Sequence, residues 1–289
     1  MGFSFSRLFA RIVDDAALFP PAREPMDAAL GDYRAAAGHP VLGRFLCPAS
    51  RLGELRGHLV PEDLVDLGVV ADTGLDGLDA AVDTARREPR VRLRSVEIAP
   101  APDADQARAT AVMIARLPAG VPCHIEVRPV TGWRETLDRL AAARGTRTPL
   151  GAKLRTGGRD GPPGGEYGPS PAEVAAFVAA CAERDLPFKC TAGLHHAVRH
   201  VDPGTGLAHH GFLNVLLATV RARAGAGPGE LTEVLASTDA VALADEAARV
   251  DEAAGRAARE LFVAFGSCDV RTPRTDLIKL GFSGEDSDP

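Results

Sequence analysis

The sequence lacks the features of a membrane, secreted or nucleic-acid-binding protein. No apolar run approaches the roughly 18 residues that span a bilayer. Residues 1–13 contain Arg7 and Arg11 but no long apolar core of a signal peptide. The formal net charge is −6, whereas proteins that bind nucleic acids or membrane surfaces carry basic patches. We therefore expect a soluble, cytoplasmic protein that binds neither membranes nor nucleic acids.

Cysteine is scarce and shows no metal-binding spacing. The five cysteines are odd in number, are never spaced as CxxC and are scattered over the chain: Cys47, Cys123, Cys181, Cys190 and Cys268. This pattern excludes the usual zinc ribbon, fits a reducing compartment and predicts small buried thiols. No glycine-rich dinucleotide-binding loop follows the first predicted strand, and the sequence predicts no cofactor.

Lysine is the rarest charged residue. Of 33 basic residues only Lys153, Lys189 and Lys279 are lysine, and the others are arginine. On a surface the two residue types are nearly interchangeable, so a strong arginine bias would remove dispensable lysines. A lysine that remains is a candidate for chemistry that requires a neutral amine, which arginine cannot provide. By the same reasoning Asn214, the only asparagine, is a candidate for contact with the substrate.

Short apolar segments alternate with alanine-rich helical patterns along the whole chain. The predicted strands are 12–18, 41–46, 67–71, 93–98, 124–127, 151–154, 187–191 and 261–265. The predicted helices are 25–37, 74–87, 103–117, 131–143, 170–184, 211–224, 228–236 and 240–260. Eight such units favour one (β/α)8 barrel (TIM barrel) over residues 1–281, with an open doubly wound sheet as the alternative. Barrels of this type commonly form dimers, and the sequence does not decide between a monomer and a homo-oligomer.

Three segments depart from regular alternation. Residues 195–260 are predicted to form a helical insertion between strands 7 and 8, at the catalytic face. The Gly/Pro-rich segment 157–171 follows strand 6 at the same face and is either a mobile lid or a plain surface loop. The polar, acidic segment 282–289 is predicted to be a disordered tail.

The ends of predicted strands 6 and 7 carry the two candidate catalytic lysines. Strand 6 ends in KLRTG from Lys153, and strand 7 ends in KCTAG from Lys189. Neighbouring parallel strands lie about 4.8 Å apart, so two inward-facing lysines would bring their amines together near the mouth of the barrel. Like charges in a desolvated site disfavour each other, which would free one amine to attack a carbonyl group and form a Schiff base.

This pattern resembles the class I aldolases of the deoxyribose-phosphate aldolase type. The resemblance covers residues 151–194 well, with a looser match at strand 5, and the remainder by architecture. It implies a Schiff-base lysine at Lys153, a second lysine at Lys189, and proton-transfer acids at Glu97 and Glu126 at the ends of strands 4 and 5. At strand 8 the sequence AFGSCD (264–269) has one glycine and then an aspartate, where the family binds a phosphate with a glycine-rich turn. The substrate is therefore expected to differ from the family's sugar phosphate.

Histidines provide the second signal. Five of the eight fall within a short segment after strand 7: His195, His196, His200, His209 and His210. One of His195 or His196 could serve as an acid–base group beside the lysines. Together with acidic residues the histidines could instead hold a divalent metal, although their spacing matches no known metal motif. The residues predicted to contact the substrate are Asp15, Arg155, Thr191 and Asn214, and Arg155 could clamp a carboxylate or phosphate.

These signals lead to one main hypothesis and two alternatives. The main hypothesis is a Schiff-base lyase or aldolase that acts on a small carbonyl compound. Lys153 would be the nucleophile, and Lys189 would lower the pKa of that nucleophile and donate protons. The first alternative is a metal-dependent barrel lyase, isomerase or hydrolase that uses His195 or His196 with acidic residues. The second is a ligand-binding barrel without catalysis.

Overall fold

Eight parallel strands close into a barrel, as the sequence predicts. The computed structural model describes residues 7–145, 147–158, 165 and 168–282. The barrel strands are β1 (Val13–Asp15), β2 (Leu42–Pro48), β3 (Val65–Val70), β4 (Val91–Ile98), β5 (Cys123–Glu126), β6 (Leu150–Arg155), β7 (Phe188–Thr191) and β10 (Phe262–Ser267). They pair in the order β1-β10-β7-β6-β5-β4-β3-β2, and β2 pairs with β1 to close the ring. The (β/α)8 barrel is confirmed, and the open sheet is wrong.

Helices lie between the barrel strands. They are α1 (Met26–Ala35), α2 (Leu52–His58), α3 (Gly74–Arg87), α4 (Gln106–Arg116), α5 (Trp133–Ala142), α6 (Pro171–Glu183), α7 (Phe212–Arg223), α8 (Pro228–Ala236), α9 (Ala240–Ala248), α10 (Glu252–Leu261) and α11 (Arg271–Lys279). The sequence prediction missed α2, which is too short to show a clear helical period. The helix predicted over 240–260 is two helices, because the Asp251 side chain caps a new start by accepting the Ala254 N–H at 2.8 Å.

The region predicted as a helical insertion begins with a hairpin and continues as helices. The hairpin strands β8 (His200–Val201) and β9 (Ala208–His209) are antiparallel. Helix α7 packs against α6, α8, α10 and β10, so its first eight residues, from Phe212 to Thr219, are all buried. The hairpin is tied to the segment after β6, since the Ala208 N–H donates to the Gly165 carbonyl at 2.8 Å.

Two predicted loop segments are covered only in part by the described residues. In the candidate lid, residues 159–164, 166 and 167 lie outside the described residues. Its last residues start α6 through a capping box, in which Ser170 and Glu173 bond each other's backbone N–H groups. Of the predicted tail, residues 283–289 also lie outside them, whereas Phe282 is buried with its ring centroid 4.9 Å from that of Phe9. The tail prediction therefore began too early. None of the described helices has the length and apolarity that crossing a lipid bilayer requires.

Candidate active site

A cavity of about 340 Å³ opens at the carboxyl ends of the barrel strands. Its polar lining comprises Glu97, Lys153, Arg155, Thr191, His195 and Cys268, and its apolar lining includes Phe19, Leu46 and Val70. Active sites of (β/α)8 enzymes lie at this end of the barrel. Five of these polar residues stand on the carboxyl-terminal halves of β4, β6 and β7, or just beyond β7, so the fold itself brings them together from distant parts of the sequence.

The two lysines lie side by side, as the sequence predicts. Strands β6 and β7 pair with Lys153 directly opposite Lys189, and β5 pairs with β6 so that Glu126 is opposite Lys153. The carboxylate of Glu97 joins the two amines from β4. Its Oε2 lies 3.4 Å from Lys153 Nζ, and its Oε1 accepts a hydrogen bond from Lys189 Nζ.

A second carboxylate, Asp14 on β1, holds Lys189 from the other side. Asp14 Oδ2 lies 2.7 Å from Lys189 Nζ and 3.1 Å from Arg44 Nη1. Together with Glu126, whose Oε2 is 3.0 Å from Lys153 Nζ, these contacts form one chain of alternating charge. The chain runs Arg44, Asp14, Lys189, Glu97, Lys153, Glu126 and draws one residue from each of six barrel strands. We call these six residues the charge chain.

Neighbouring groups of opposite charge set the protonation states of Glu97 and Lys189, two buried residues of the charge chain. Burial alone would raise the pKa of Glu97, but Lys189 and Lys153 lower it to about 2. Burial alone would also favour a neutral Lys189, but Asp14 and Glu97 outweigh it and raise the pKa of Lys189 above its usual value. Lys189 is therefore a cation at neutral pH. The expectation that one of the two adjacent ammonium groups loses its proton at a lower pH does not hold for Lys189, because carboxylates lie on either side of it.

The two lysines differ in their access to the cavity. Lys189 has no exposed surface, whereas 7% of the Lys153 side chain and 13% of the Glu126 side chain are exposed. In the described part of the chain Lys153 is the one lysine that lines the cavity. Lys153 therefore faces the cavity directly, whereas Lys189 is linked to the cavity lining through Glu97.

His124 on β5 is a further buried titratable residue next to the charge chain. It stands opposite Glu97 in the β4–β5 pairing and is buried, and this burial lowers its pKa to about 3. Its partner position on β6 is Gly151, where a Cβ atom would lie 2.7 Å from His124 Cδ2. The imidazole of His124 is therefore neutral at pH 7 and adds no charge next to Glu97.

His195 reaches the cavity because the chain turns sharply after β7. Ala192 and Gly193 both have a positive φ, of 59° and 80°, and the Thr156 hydroxyl donates to the Ala192 carbonyl at 2.6 Å to fix the turn. The His195 Nδ1 atom lies 3.0 Å from Ser267 Oγ at the end of β10. Burial, with the nearby His196, lowers the pKa of His195, so its ring is neutral at pH 7.

The other histidines do not reach the cavity. His196 Nδ1 is 2.9 Å from Asp276 Oδ2 on α11. The rings of His200 and His209 stack across the hairpin with centroids 5.3 Å apart, and His210 bonds the Pro169 carbonyl. In the part of the chain that the structure describes, no group of three or more His, Cys, Asp or Glu residues is arranged to hold a metal ion. The metal-dependent alternative therefore lacks a ligand set there.

Of the four residues predicted to contact substrate, Arg155 and Thr191 line the cavity. Asp15 does not, because side chains alternate along a strand and the inward position on β1 belongs to Asp14. Asp15 is buried on the outer side, and this burial raises its pKa to about 7. Asn214 also lies elsewhere. Its amide NH2 donates to the carbonyls of Val234 and Ser237, and its oxygen accepts the Arg199 N–H.

Sequence reasoning missed three residues that shape the site: Asp14, Arg44 and Ser267. The one sequence signal for Asp14 is the phase of the predicted strand 12–18, in which positions 12, 14 and 16 share a face. Arg44 and Ser267 carry no signal of their own in the sequence, and their role follows only from the closed barrel.

No protein-family model matches the chain, and no curated protein matches it at a significant level.

Proposed function

We propose that the protein is a Schiff-base-forming lyase of the aldolase type that acts on a small carbonyl compound, with Lys153 as the nucleophile. The (β/α)8 fold is compatible with a lyase or with another barrel enzyme. The observation that supports the proposal most strongly is the position of Lys153. Its amine lies against two carboxylates at the base of a cavity where barrel enzymes keep their reacting groups.

The first step requires the neutral amine of Lys153. Glu126 is placed to take the ammonium proton, because its oxygen lies 3.0 Å from Nζ and its side chain is partly exposed. The amine lone pair then forms a bond to the carbonyl carbon. The carbonyl oxygen gains the proton held by Glu126 together with one from the amine, and leaves as water. The product is an iminium ion, which withdraws electrons from the neighbouring C–C or C–H bond.

Glu97 and Lys189 support this cation. Glu97 is ionised at every pH at which the protein would work, since its pKa is about 2. Its carboxylate lies beside Lys153 Nζ and so stabilises the positive iminium nitrogen. Lys189 holds Glu97 in place by donating a hydrogen bond to its Oε1. The resulting enamine can serve C–C cleavage, dehydration or decarboxylation, all of which are lyase reactions.

Borohydride reduction tests the proposal. A Schiff base between the protein and a small aldehyde, ketone or 2-oxo acid becomes a stable adduct on reduction, and intact-mass spectrometry detects it. We expect one adduct per chain for at least one carbonyl compound, and peptide mapping should place it on Lys153. Lys153→Arg should abolish the adduct while circular dichroism stays unchanged.

Lys279→Arg is the matched control, because Lys279 is a lysine on α11 with a side chain that is 71% exposed. This variant should form the same adduct as the wild type. An adduct that persists in Lys153→Arg, or no adduct with any member of the panel, would refute the proposal.

A further inference from the structure

The hydroxyl group of Ser267 fixes the position of the proton on His195. Ser267 Oγ lies 2.6 Å from the carbonyl oxygen of Asp269. A carbonyl has no hydrogen to donate, so the single hydroxyl hydrogen of Ser267 must lie in this bond. Toward His195 the same oxygen can therefore only accept, and Nδ1, 3.0 Å away, must be the donor. The Asp269 carbonyl thus sets the tautomer of His195 by fixing the direction of the Ser267 hydroxyl hydrogen.

We infer that His195 is held as the Nδ1–H tautomer and that its unprotonated Nε2 is the base that removes a proton from the substrate in the cavity. This inference rests on the function proposed above. His195 lines the cavity and Ser267 occupies its Nδ1, which leaves Nε2 as the atom with a lone pair to offer.

The thiol of Cys268 does not compete for Nε2. Its Sγ is 3.8 Å from Nδ1 and 4.0 Å from Nε2, so it is nearly equidistant from the two nitrogens. A donor aligned with the Nε2 lone pair would lie much closer to Nε2 than to Nδ1. Burial also raises the pKa of Cys268, which therefore remains a neutral thiol beside the ring.

The groups that face His195 keep its ring neutral. Burial disfavours the charged imidazolium, as do His196 in the same segment, His209 on β9 and His200 on β8. Asp269, after β10, has the opposite effect, but the net effect lowers the pKa of His195. At neutral pH the ring therefore carries one proton, which is the form that a base requires.

His196 is the natural comparison, because it is adjacent in sequence and its Nδ1 is also engaged. Its partner is the carboxylate of Asp276 on α11, and His196 is not among the residues that line the cavity. The structure thus places His195, and not His196, against the cavity, whereas the sequence gives no reason to prefer either histidine.

The proposed step conserves atoms and electrons. In the iminium formed on Lys153, Nε2 of His195 takes the proton of the substrate's β-hydroxyl group. The O–H electron pair becomes the second bond of a new carbonyl group, and the Cα–Cβ bond breaks. Its electron pair forms the enamine double bond and neutralises the iminium nitrogen. The imidazolium then returns the proton to the enamine carbon, and water hydrolyses the resulting iminium.

Nuclear magnetic resonance tests the tautomer without any substrate. In protein labelled with 15N-histidine, long-range 1H–15N correlations distinguish a protonated ring nitrogen from an unprotonated one. At pH 7.5 we expect His195 to have a protonated Nδ1 and an unprotonated Nε2, with His195→Gln giving the assignment. Ser267→Ala should release this preference and Ser267→Thr should preserve it. A protonated Nε2 in the wild type would overturn the inference.

Proton exchange tests the catalytic role. The carbonyl compound that forms the Lys153 adduct should exchange its α-hydrogens for deuterium in D2O, because the enamine forms reversibly. We expect His195→Gln to slow this exchange by about 10²- to 10⁴-fold while the borohydride adduct still forms. His58→Gln, at an exposed histidine on α2, should leave both unchanged. In Ser267→Ala the exchange rate should fall and its pH profile should shift, and Ser267→Thr should restore both.

The two proposals fail in different ways. An adduct on Lys153 with exchange unaffected by His195→Gln would overturn the role of His195 and leave the Schiff-base function standing. The absence of any adduct on Lys153 would remove the proposed function and, with it, the catalytic role of His195. The tautomer would still be decided by the NMR measurement.

Discussion

Lys189 Nζ lies 2.7 Å from Asp14 Oδ2, and neither side chain has any exposed surface. An isolated buried charge is very costly, so each member of this pair depends on the other. Lys189 also bonds Glu97, which contacts Lys153 in the cavity. The pair therefore links the stability of the barrel to the geometry of its candidate active site.

Lys189→Met should destabilise the protein strongly. It leaves the carboxylates of Asp14 and Glu97 buried beside each other without their shared cation. We expect the free energy of unfolding to fall by about 3–5 kcal/mol, as measured by urea denaturation. The double variant Lys189→Met/Asp14→Asn should recover part of this loss, since it removes one of the stranded charges.

The matched control for this experiment is Lys279→Met. Its ammonium is 3.9 Å from Asp276 Oδ1 on the surface, so we expect a change within about 0.5 kcal/mol. A loss in Lys189→Met no larger than in this control would contradict the account of the charge chain.

The sequence predicted the barrel well because the strands are short apolar segments and helical patterns separate most of them. Helices α3 and α8 begin and end at the predicted residues. Short elements were harder, since α2 has seven residues and the hairpin strands β8 and β9 have two each. A period cannot be recognised over so few positions.

The sequence predicted most of the polar lining of the cavity, and its clearest signal was an unusual residue type. The scarcity of lysine marked Lys153 and Lys189, whose register the barrel then made adjacent. The phase of β1 was harder to read, because the strand has three residues and two of them are aspartates. Asn214 was equally rare, yet its position within α7 gave its amide to the backbone. Rarity identifies a residue that is needed but not the purpose that it serves.

Asp15 should make the protein less stable as the pH rises. Its pKa is about 7 in the folded protein against 3.8 for the free side chain, because burial disfavours the carboxylate. The folded state therefore binds more protons between these values, and this contribution to stability, full below pH 3.8, is lost as the pH rises through 7. Asp15→Asn keeps an oxygen for the Ala17 N–H, which donates to Oδ1 at 2.9 Å. Relative to the wild type, it should gain up to about 4 kcal/mol between pH 4 and pH 8.

This effect is best measured as the difference in free energy of unfolding between the variant and the wild type at each pH. Taking the difference cancels the pH dependence that other titrating groups contribute to both proteins. His124 is one such group: its pKa is lowered, so its contribution to stability is full above pH 6.5 and is lost as the pH falls toward 3. Asp79→Asn, at an exposed position on α3, is the matched control for the change from aspartate to asparagine. A difference for Asp15→Asn that does not vary with pH would contradict the buried state of this carboxyl group.

Arg155 should bind the anionic end of a charged substrate. It lines the cavity two residues after Lys153, and among the described residues it forms no ion pair. The turn after β10 cannot bind this anion in place of Arg155. The N–H groups of Arg271 and Thr272 at the start of α11 already donate to the carboxylate of Asp269. We expect Arg155→Gln to raise KM for 2-oxo acids or phosphorylated aldehydes by about 10- to 100-fold.

Neutral carbonyl compounds provide the internal control for Arg155. Their rate of adduct formation on Lys153 should be the same in Arg155→Gln and in the wild type. Arg134→Gln, which removes an exposed guanidinium 4.5 Å from the centroid of the Trp133 ring, should affect neither class of compound. An equal loss for charged and neutral compounds would indicate damage to the cavity instead of a lost anion contact.

Asn214→Ala should impair folding and leave the chemistry of the remaining folded protein intact. Its side chain makes three hydrogen bonds to the backbone, at 2.7, 2.8 and 2.9 Å, and it is fully buried. Truncation leaves the carbonyls of Val234 and Ser237 without these donors, at about 1–3 kcal/mol for each buried group. Urea denaturation should show the loss, while the adduct on Lys153 forms at the rate of the wild type per folded molecule. A slower rate at full stability would instead mean that Asn214 contacts the substrate after all.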